Sequence, residues 1–302
     1  MKNAVTKRKY QLKDLTEDFP LFIQNTSTRD HVLHSHDFTE LVIVEYGKGI
    51  HFTSNYRHMV ATGDVLVIPK GMKHGYEDSE KFRITNVIFD LSLLDSLPET
   101  FKYIPGFQSL FLLNPFQRKK AVNRKCFLTL EPEQIDHVKQ LTGRMTHELR
   151  EKRIGYQAVC TLTLADLIIF LSRLASKHNL SMHTNKVAEA LSYMEKNYAN
   201  HISLGQLSRA AKLSPRNFQQ IFKDYLGISP FRHLIKIRLQ NARKLLLETD
   251  LSIGEIAYAA GFGDSAYFAR QFKKVLRTSP SDYRKEALSI DQHERTYTKT
   301  SQ

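Results

Sequence analysis

The chain has 302 residues, 41% of them hydrophobic, which suits a globular protein with room for two domains. Its 44 Lys and Arg residues outnumber its 31 Asp and Glu residues; the resulting charge of +13 favours a polyanionic partner such as nucleic acid, and a basic protein without such a partner is the alternative. The two cysteines, Cys126 and Cys160, lack metal-ligand spacing and predict buried thiols in a reducing cytosol. No apolar run follows the basic N-terminus, and residues 159–174 are too short and too polar to span a bilayer. We therefore expect a cytoplasmic protein with neither a signal peptide nor a membrane partner.

The N-terminal part of the chain is patterned for β structure. Short runs rich in β-branched residues lie at 41–46, 64–69 and 83–89, each bounded by Gly, Pro or Asn, and a further short strand is expected around 21–23. Their spacing indicates a small sandwich or barrel. In residues 92–132 prolines break any long helix, and we expect four phenylalanines there to cover the mouth or the outer face of the barrel: Phe101, Phe107, Phe111 and Phe116.

The hydrophobic period then changes to that of helices. Residues 133–152 and 156–178 read as two amphipathic helices, and the second is apolar over more than one face. That helix is either a core helix or one that also forms a dimer interface. A short polar stretch at 179–185 predicts a linker, and almost everything from 184 to 283 is patterned as helix.

The C-terminal region contains an internal repeat. The stretch QQIFKDYLGISP at 219–230 aligns without gaps on ARQFKKVLRTSP at 269–280, and LSRAA at 207–211 matches IAYAA at 256–260. Each copy reads as a helix, a tight turn and a second helix with a capping residue, Ser214 or Asp264. Two such recognition helices about one DNA turn (~34 Å) apart could read successive major grooves. A tandem helical scaffold of another kind is the alternative.

The second copy carries a recognisable motif, A-x-x-x-G-F-x-D-S-x-Y-F-x-R-x-F-K-K followed by S-P-x-x-Y-R. It is spelled by Ala257, Gly261, Phe262, Asp264, Ser265, Tyr267, Phe268, Arg270, Phe272, Lys273, Lys274, Ser279, Pro280, Tyr283 and Arg284. This motif resembles that of the AraC/XylS transcription regulators, and the resemblance covers roughly residues 184–285. One departure is Arg277, where such sequences usually carry glycine, as Gly227 does in the first copy.

In that family the N-terminal half of each second helix contacts bases, so the resemblance implies one set of contacts per copy. The first set is Arg216, Asn217, Gln219 and Gln220, and the second is Ser265, Ala266, Tyr267 and Arg270. Arginine can pair with guanine, and glutamine or asparagine with adenine, each with ~1–3 kcal/mol of discrimination. Lys273, like Lys223 and Lys274, is expected to meet phosphates or water. The phenylalanines of these helices are expected to face the core.

A second motif lies near the N-terminus. Strand alternation places His34, His36 and Glu40 on one face, where they can converge on a point inside a barrel. The pattern H-x-H-x3-E-x6-G, followed by G-x5-P-x-G-x2-H ending at His74, resembles the cupin fold, with Asp78 in place of the usual final Asn. In metal cupins the ligands would be His34, His36, Glu40 and His74, a set suited to divalent Fe, Mn, Ni or Zn.

The resemblance to AraC-type regulators implies that the cupin forms a ligand pocket, which in this family usually holds a sugar or another small effector without metal. We therefore expect neither a metal nor a cofactor. The stretch FTELVIVEYGKGIH at 38–51 also resembles the sensor domains of rhamnose-operon regulators within this family. The expected effector-binding residues are His34, His36, Glu40, Tyr46, His74 and Asn86. Nothing in the sequence selects among further candidates for the mouth of the pocket: His31, His51 and His58.

We therefore predict an α+β protein with an N-terminal cupin β-barrel, a helical dimerisation hairpin and a C-terminal all-α domain with two helix-turn-helix units. The expected boundaries are 1–132 for the effector domain, 133–178 for the hairpin, 179–185 for the linker, 186–285 for the DNA-binding domain and 286–302 for a polar tail. The predicted function is a non-enzymatic, homodimeric transcription regulator, an activator by family tendency, that binds double-stranded DNA and a sugar-like effector and could contact RNA polymerase. The rivals are a metal-dependent cupin enzyme and a constitutive DNA-binding protein without effector.

Overall fold

A computed structural model of the chain describes residues 8–27, 31–54, 56–95, 97–113, 128–177 and 182–286. Two units can be distinguished, Met1–Ser192 and Tyr193–Gln302. The first contains the β structure and a helical hairpin, and the second is helical, as the sequence patterns predict. Cys126 and Phe116 lie outside the described residues.

The first unit is built on one eight-stranded sheet. Its described strands are β1 (Arg8–Tyr10), β2 (Leu21–Ser27), β3 (His31–His36), β4 (Thr39–Thr53), β5 (Arg57–Ala61), β6 (Asp64–Ile68), β7 (His74–Phe89) and β8 (Leu128–Thr129). The strand order is β1-β3-β7-β4-β6-β8, with β2 added to β7 and β5 to β4. One edge of β7 pairs first with β3 and then with β2, while its other edge follows β4 with three register shifts. Such bulges bend and twist a sheet, which lets it curl into the cupin-like barrel.

Alternation along β4 sends its side chains into two different cores. Leu41 and Ile43 belong to a cluster that packs the outer face of the sheet against the helices, whereas Val42 and Val44 belong to a cluster inside the barrel. Both faces of this part of β4 are therefore buried, which explains why the run LVIV reads as continuously apolar. Phe101, Phe107 and Phe111 join the outer cluster.

The predicted hairpin is present as α2 (Pro132–Glu151) and α3 (Tyr156–Lys177), preceded by the short helix α1 (Pro105–Phe107) and the π-turn Gln108–Leu112. Cys160 is buried on α3, and burial raises the pKa of its thiol to about 11. Among the described helices, only α3 is long and apolar enough to cross a membrane by length and composition, and half of its apolar window is buried. Its buried face packs in the outer cluster of the barrel through residues such as Leu164, Leu167 and Leu171, which is the position of a core helix.

Helix α4 (Met182–Asn197) differs from the predicted linker. Residues 182–185 of the predicted linker are helical, and 179–181 lie outside the described residues. A polar composition does not by itself exclude a first helical turn, and the buried residues Val187, Leu191 and Met194 that follow keep the helical period. The division between the units falls after Ser192, inside this helix and later than the predicted start of the second domain at 186.

The second unit contains the two predicted helix-turn-helix units. The first consists of α5 (Leu204–Ala210) and α6 (Pro215–Leu226), and the second consists of α8 (Ile253–Ala259) and α9 (Ser265–Leu276). The long helix α7 (Pro230–Glu248) connects them, and a last helical stretch spans 280–286. The predicted caps are confirmed, because Ser214 and Asp264 accept backbone N–H groups from Asn217 and Tyr267.

The imidazole of His233 on α7 makes the stability of the helical unit sensitive to pH. It packs edge-on against Phe222 at a centroid distance of 5.8 Å, and burial lowers the pKa of His233 to about 4. Because the unfolded chain binds this proton near pH 6.5, stability should be complete above that pH and decline as the pH falls toward 4. Between pH 7 and pH 5 we expect a loss of about 2 kcal/mol from this group. Urea unfolding of the wild type and of His233→Leu at both pH values measures this loss of stability. If the variant lost as much stability as the wild type between the two pH values, His233 would not be its source.

Candidate functional site

A polar cavity lies inside the barrel of the first unit. Its volume is about 180 Å³, and its lining includes Tyr10, His34, His36, Glu40, His74, Tyr76 and Asn86. The strand register brings these side chains together, because His34 pairs directly with His74 across β3 and β7, and Val42 beside Glu40 pairs with Asn86 across β4 and β7. Five of the six predicted effector residues thus surround one space.

The carboxylate of Glu40 lies at the centre of a histidine cluster. Its Oε2 atom is 3.3 Å from Nε2 of His36 and 3.3 Å from Nε2 of His74, and all three side chains are buried. Burial alone would raise the pKa of Glu40, but the hydrogen bonds and charges of His36 and His74 outweigh it and hold that pKa well below its usual range. Glu40 is therefore an anion inside the barrel.

The orientation of His36 restricts what can lie between it and Glu40. Its Nδ1 is 2.8 Å from the carbonyl oxygen of Phe38, and since a carbonyl only accepts, Nδ1 carries a proton. A neutral imidazole bound in this way would present the lone pair of Nε2 to the carboxylate. The arrangement therefore calls for a proton or a cation between Nε2 and Glu40 Oε2.

His34 completes the cluster on the side of β3. Its Nδ1 is 3.0 Å from the carbonyl oxygen of Val32, its ring centroid is 4.3 Å from that of His74, and burial lowers the pKa of His34 to about 4. Ligand atoms of His34, Glu40 and His74 all lie within 4.8 Å of one another. Imidazole nitrogens and a carboxylate oxygen suit a divalent transition metal, so three of the four cupin positions are close enough to share one.

Tyr76 is a pocket residue that sequence reasoning missed. It is buried on β7, two residues beyond His74, and its hydroxyl has no hydrogen-bond partner among the described residues. The carbonyl oxygen of the Asn86 side chain is likewise buried without a described partner. Burial and the charge of Glu40 raise the pKa of Tyr76 well above its usual value, so its hydroxyl remains a donor. Residues two apart on a strand face the same side, so the position of Tyr76 relative to His74 could have placed it in the pocket. The sequence pattern, however, predicted that this strand begins only at residue 83.

The prediction that Tyr46 lines the pocket is wrong, because its side chain is 53% exposed. The pairing of β4 with β7 shifts on both sides of Tyr46, and each shift of one residue moves side chains to the opposite face. Beyond the shifts His51 points inward, where it lies 5.6 Å from His74 and 5.2 Å from Tyr76 by ring centroids. His58 packs against His51 at 4.9 Å, so these two histidines form a layer behind the cavity. The side chain of His31 lies outside the described residues.

The predicted DNA-contacting residues lie on the outer faces of α6 and α9. The side chains exposed there are Arg216, Asn217, Gln219, Gln220, Ser265, Ala266, Tyr267, Arg270 and Lys273. Phe218, Phe222, Phe268 and Phe272 lie beneath them and are fully buried. Each helix therefore presents a polar face over an aromatic core, which is the arrangement of a recognition helix.

Two arginines of the second unit have structural partners. Arg284, which belongs to the motif, donates to the carbonyl oxygens of Leu246 and Leu251 at 3.2 and 2.7 Å. Arg238 donates to the carbonyl oxygens of Tyr198 and Asn200 at 2.8 and 2.9 Å. These cations satisfy carbonyls at chain turns and helix ends, so the positive charge of this unit is only in part available to DNA.

Comparison with known proteins identifies both domains. An AraC-like ligand binding domain model matches residues 18–158, and a helix-turn-helix domain model matches residues 207–286, together well over half of the chain. The chain belongs to the AraC family. It is a DNA-binding transcription regulator with a ligand-binding domain.

Two transcriptional activators match this AraC-family regulator over most of their length. The transcriptional activator RhaS of Enterobacter sp. (strain 638) is 28% identical over 251 residues, which cover 83% of this chain and 86% of the relative. RhaS of Escherichia coli (strain K12 / DH10B) is 27% identical over 254 residues with the same coverage. Among solved structures, an AraC-type regulator from Chromobacterium violaceum is 31% identical, with a TM-score of 0.33 over 34% of this chain and 91% of that chain. The DNA-binding domain of AdpA in complex with a target DNA is 27% identical, with a TM-score of 0.34 over 35% of this chain and 95% of that chain.

Proposed function

We propose that a sugar of single-ring size binds in the barrel cavity and controls transcription by this regulator. The supporting observation is the pair of buried polar groups that face the cavity without described partners, the Tyr76 hydroxyl and the Asn86 side-chain oxygen. Leaving such groups unpaired costs about 1–3 kcal/mol each, so a ligand rich in hydroxyls gains by satisfying them. Glu40, His34, His36 and His74 supply further acceptors and donors around the same space.

The size of the cavity limits the effector. An apolar cavity of about 150 Å³ holds one benzene ring, so the 180 Å³ available here accommodates one six-membered ring with small substituents. We therefore expect a monosaccharide, rather than a disaccharide, to be the effector. A thermal-shift screen of monosaccharides and disaccharides against the full-length protein tests the proposal. Stabilisation by a monosaccharide is expected, and no shift with any sugar would contradict it.

Replacing Tyr76 with phenylalanine should separate effector binding from stability. The substitution removes one buried hydroxyl, so the effector-free protein should be unchanged or more stable by about 1 kcal/mol. Affinity for the effector should fall roughly ten- to a hundredfold, because the effector hydroxyl that meets Tyr76 is left unpaired. Titration calorimetry with the sugar found in the screen measures both the wild type and the variant.

The matched control is Tyr46→Phe, which removes the same hydroxyl from an exposed tyrosine on the same sheet. It should leave the affinity for the effector unchanged. Equal losses in both variants would show that the cavity around Tyr76 is not the effector site.

The regulator acts, in this proposal, without catalysis and without a resident metal. The relatives named above are transcription regulators, and activation is proposed from the printed name of the RhaS relatives. The cluster of His34, Glu40 and His74 has the donor chemistry for a divalent ion, so the metal content of protein purified without chelator decides this point. Stoichiometric metal together with turnover of a substrate would favour a metal-dependent cupin enzyme instead.

We propose that the exposed faces of α6 and α9 recognise the base sequence of the operator DNA. In this proposal Arg270 contacts a base and Lys273 contacts a phosphate. Arg270→Ala should cost about 1–3 kcal/mol in operator affinity and relax base preference at one position. Lys273→Ala, three residues further on the same helix, should weaken binding uniformly and lower the salt slope by ~1. Binding to a randomised DNA library, followed by titration over a salt series, distinguishes the two effects. Identical base preferences in the wild type and Arg270→Ala would contradict the role of Arg270.

Pairing of two copies through α2 and α3 completes the proposed assembly. Leu162 on α3 is 63% exposed although the helix buries most of its other apolar residues. A second copy would cover that leucine and allow two DNA-binding units, and RNA polymerase beside them, to act at one promoter. Sedimentation of the wild type and of Leu162→Glu at several concentrations tests the dimer, and equal masses at every concentration would contradict it.

A further inference from the structure

Two basic residues of the helical unit have a backbone conformation that residues with a Cβ rarely adopt. Lys212 has a φ angle of 51° and Arg277 has a φ angle of 66°. Both values lie in the left-handed region, where contact between Cβ and the following carbonyl oxygen is unfavourable for L-amino acids. Glycine would adopt either turn without this penalty.

In the internal repeat the counterpart of each cation is a glycine. The counterpart of Lys212 in the second copy is Gly261, with a φ angle of 87°, and the counterpart of Arg277 in the first copy is Gly227, with a φ angle of 71°. Each turn is thus left-handed in both copies. At each of them one copy carries glycine and the other a cation.

Packing does not account for the cations. A Cβ at Gly227 would meet no atom within 4 Å, so the space at this turn admits either glycine or a side chain. At Gly261 a Cβ would lie 2.4 Å from the carbonyl oxygen of Tyr198, so packing explains the glycine of the second copy but not the cation of the first. The side chains of Lys212 and Arg277 are exposed, and neither forms an ion pair within the described ranges of the chain. What the two residues share is a positive charge beside a recognition helix.

Both residues lie next to the proposed DNA-reading surface. Lys212 lies two residues before Ser214, the residue that caps α6, and Arg216 lies in the first turn of that helix. Arg277 follows the last turn of α9, which carries Lys273 and Lys274. One cation therefore flanks the start of the first recognition helix and the other flanks the end of the second.

We propose that Lys212 and Arg277 are phosphate contacts that flank the two recognition helices and are kept despite an unfavourable backbone conformation. Their role goes beyond the base-contacting set proposed above, because a cation on a phosphodiester oxygen adds affinity that does not depend on sequence. The competing role is local, since each cation also follows the C-terminus of a short helix, where positive charge is favourable.

The two roles predict opposite results for Lys212→Gly and Arg277→Gly in the full-length protein. If the cations bind phosphates, each variant should raise the Tm of the helical unit by roughly 2–6 °C through relief of the backbone. Its affinity for a mixed-sequence DNA duplex of several helical turns should fall roughly three- to tenfold, and the salt slope should decrease by ~0.9. Fluorescence anisotropy over a NaCl series, below the Tm of every variant, measures this without knowledge of the operator.

The matched control is Lys81→Gly, which relieves a φ angle of 47° on β7 of the other unit. It should leave DNA affinity and salt slope unchanged. Arg277→Lys keeps the charge and should retain most of the affinity. Unchanged DNA affinity in both glycine variants overturns the proposal, and so does a lower Tm, which would assign the cations to the helix ends.

Discussion

Replacing Gly261 with alanine is expected to destabilise the helical unit by about 3–5 kcal/mol and to abolish DNA binding near physiological temperature. Gly261 forms the turn of the second helix-turn-helix unit, with a φ angle of 87°. A Cβ there would lie 2.4 Å from the carbonyl oxygen of Tyr198 and 2.9 Å from Cα of Ala199. Both atoms are backbone, so the turn would have to move, and the unfavourable φ angle adds about 1–2 kcal/mol.

The matched control is Gly227→Ala in the first copy. Its φ angle is 71°, but a Cβ there would meet nothing within 4 Å, so only the conformational penalty of about 1 kcal/mol is expected. Urea unfolding of both variants, together with binding to duplex DNA, measures the difference. Equal losses of stability would mean that the approach to Tyr198 is unimportant.

Replacing Gly106 with alanine is expected to have the largest effect in the sensor unit, about 3 kcal/mol or more. Gly106 lies on α1, where it approaches α3 closely and donates its N–H to the Ser176 hydroxyl at 2.9 Å. A Cβ there would lie 1.8 Å from the carbonyl oxygen of Ser172. Since overpacking against backbone cannot be relieved by a rotamer change, α1 would separate from α3 and carry Phe107 out of the outer cluster.

Gly143→Ala on the neighbouring helix α2 is the control for this substitution. A Cβ at that position would meet nothing within 4 Å, and alanine is favoured over glycine inside a helix by about 0.5–1 kcal/mol. Thermal unfolding should therefore show a higher Tm for Gly143→Ala and a much lower Tm for Gly106→Ala. A wild-type Tm in Gly106→Ala would contradict the close approach of α1 and α3.

Local pattern was sufficient for most of the fold. The helices at 133–152 and 156–178 were predicted within one residue of α2 and α3, and the caps Ser214 and Asp264 form as expected. These features depend on residues only a few positions apart in the chain, so they can be predicted from the local sequence pattern. The linker at 179–185 was less well predicted, because polar residues occur equally in loops and in first helical turns.

The local sequence pattern predicted the barrel pocket only in part. Strand alternation grouped His34, His36 and Glu40 on one continuous strand, but a bend at residues 37–38 separates β3, which carries the two histidines, from β4, which carries Glu40. The three side chains still meet in the cavity, because β3 and β4 both pair with β7. The same alternation placed Tyr46 inside, and the register shifts around it reversed its face. Tyr76 was missed because its approach to Glu40 depends on the pairing of β7 with β3 and β4.

The sequence by itself determined the repeated helix-turn-helix units, their capping residues, the polar faces of α6 and α9, and the histidine and glutamate positions of the barrel. The helix features follow from periodicity along a single element, and the histidine and glutamate positions follow from the spacing of residues within two motifs. Only the tertiary structure decided which tyrosine faces the cavity, which arginines bind carbonyl oxygens, and which glycines lie against another backbone. Those outcomes depend on strand register and on distances between elements far apart in the chain, and one residue of register reverses every side chain that follows.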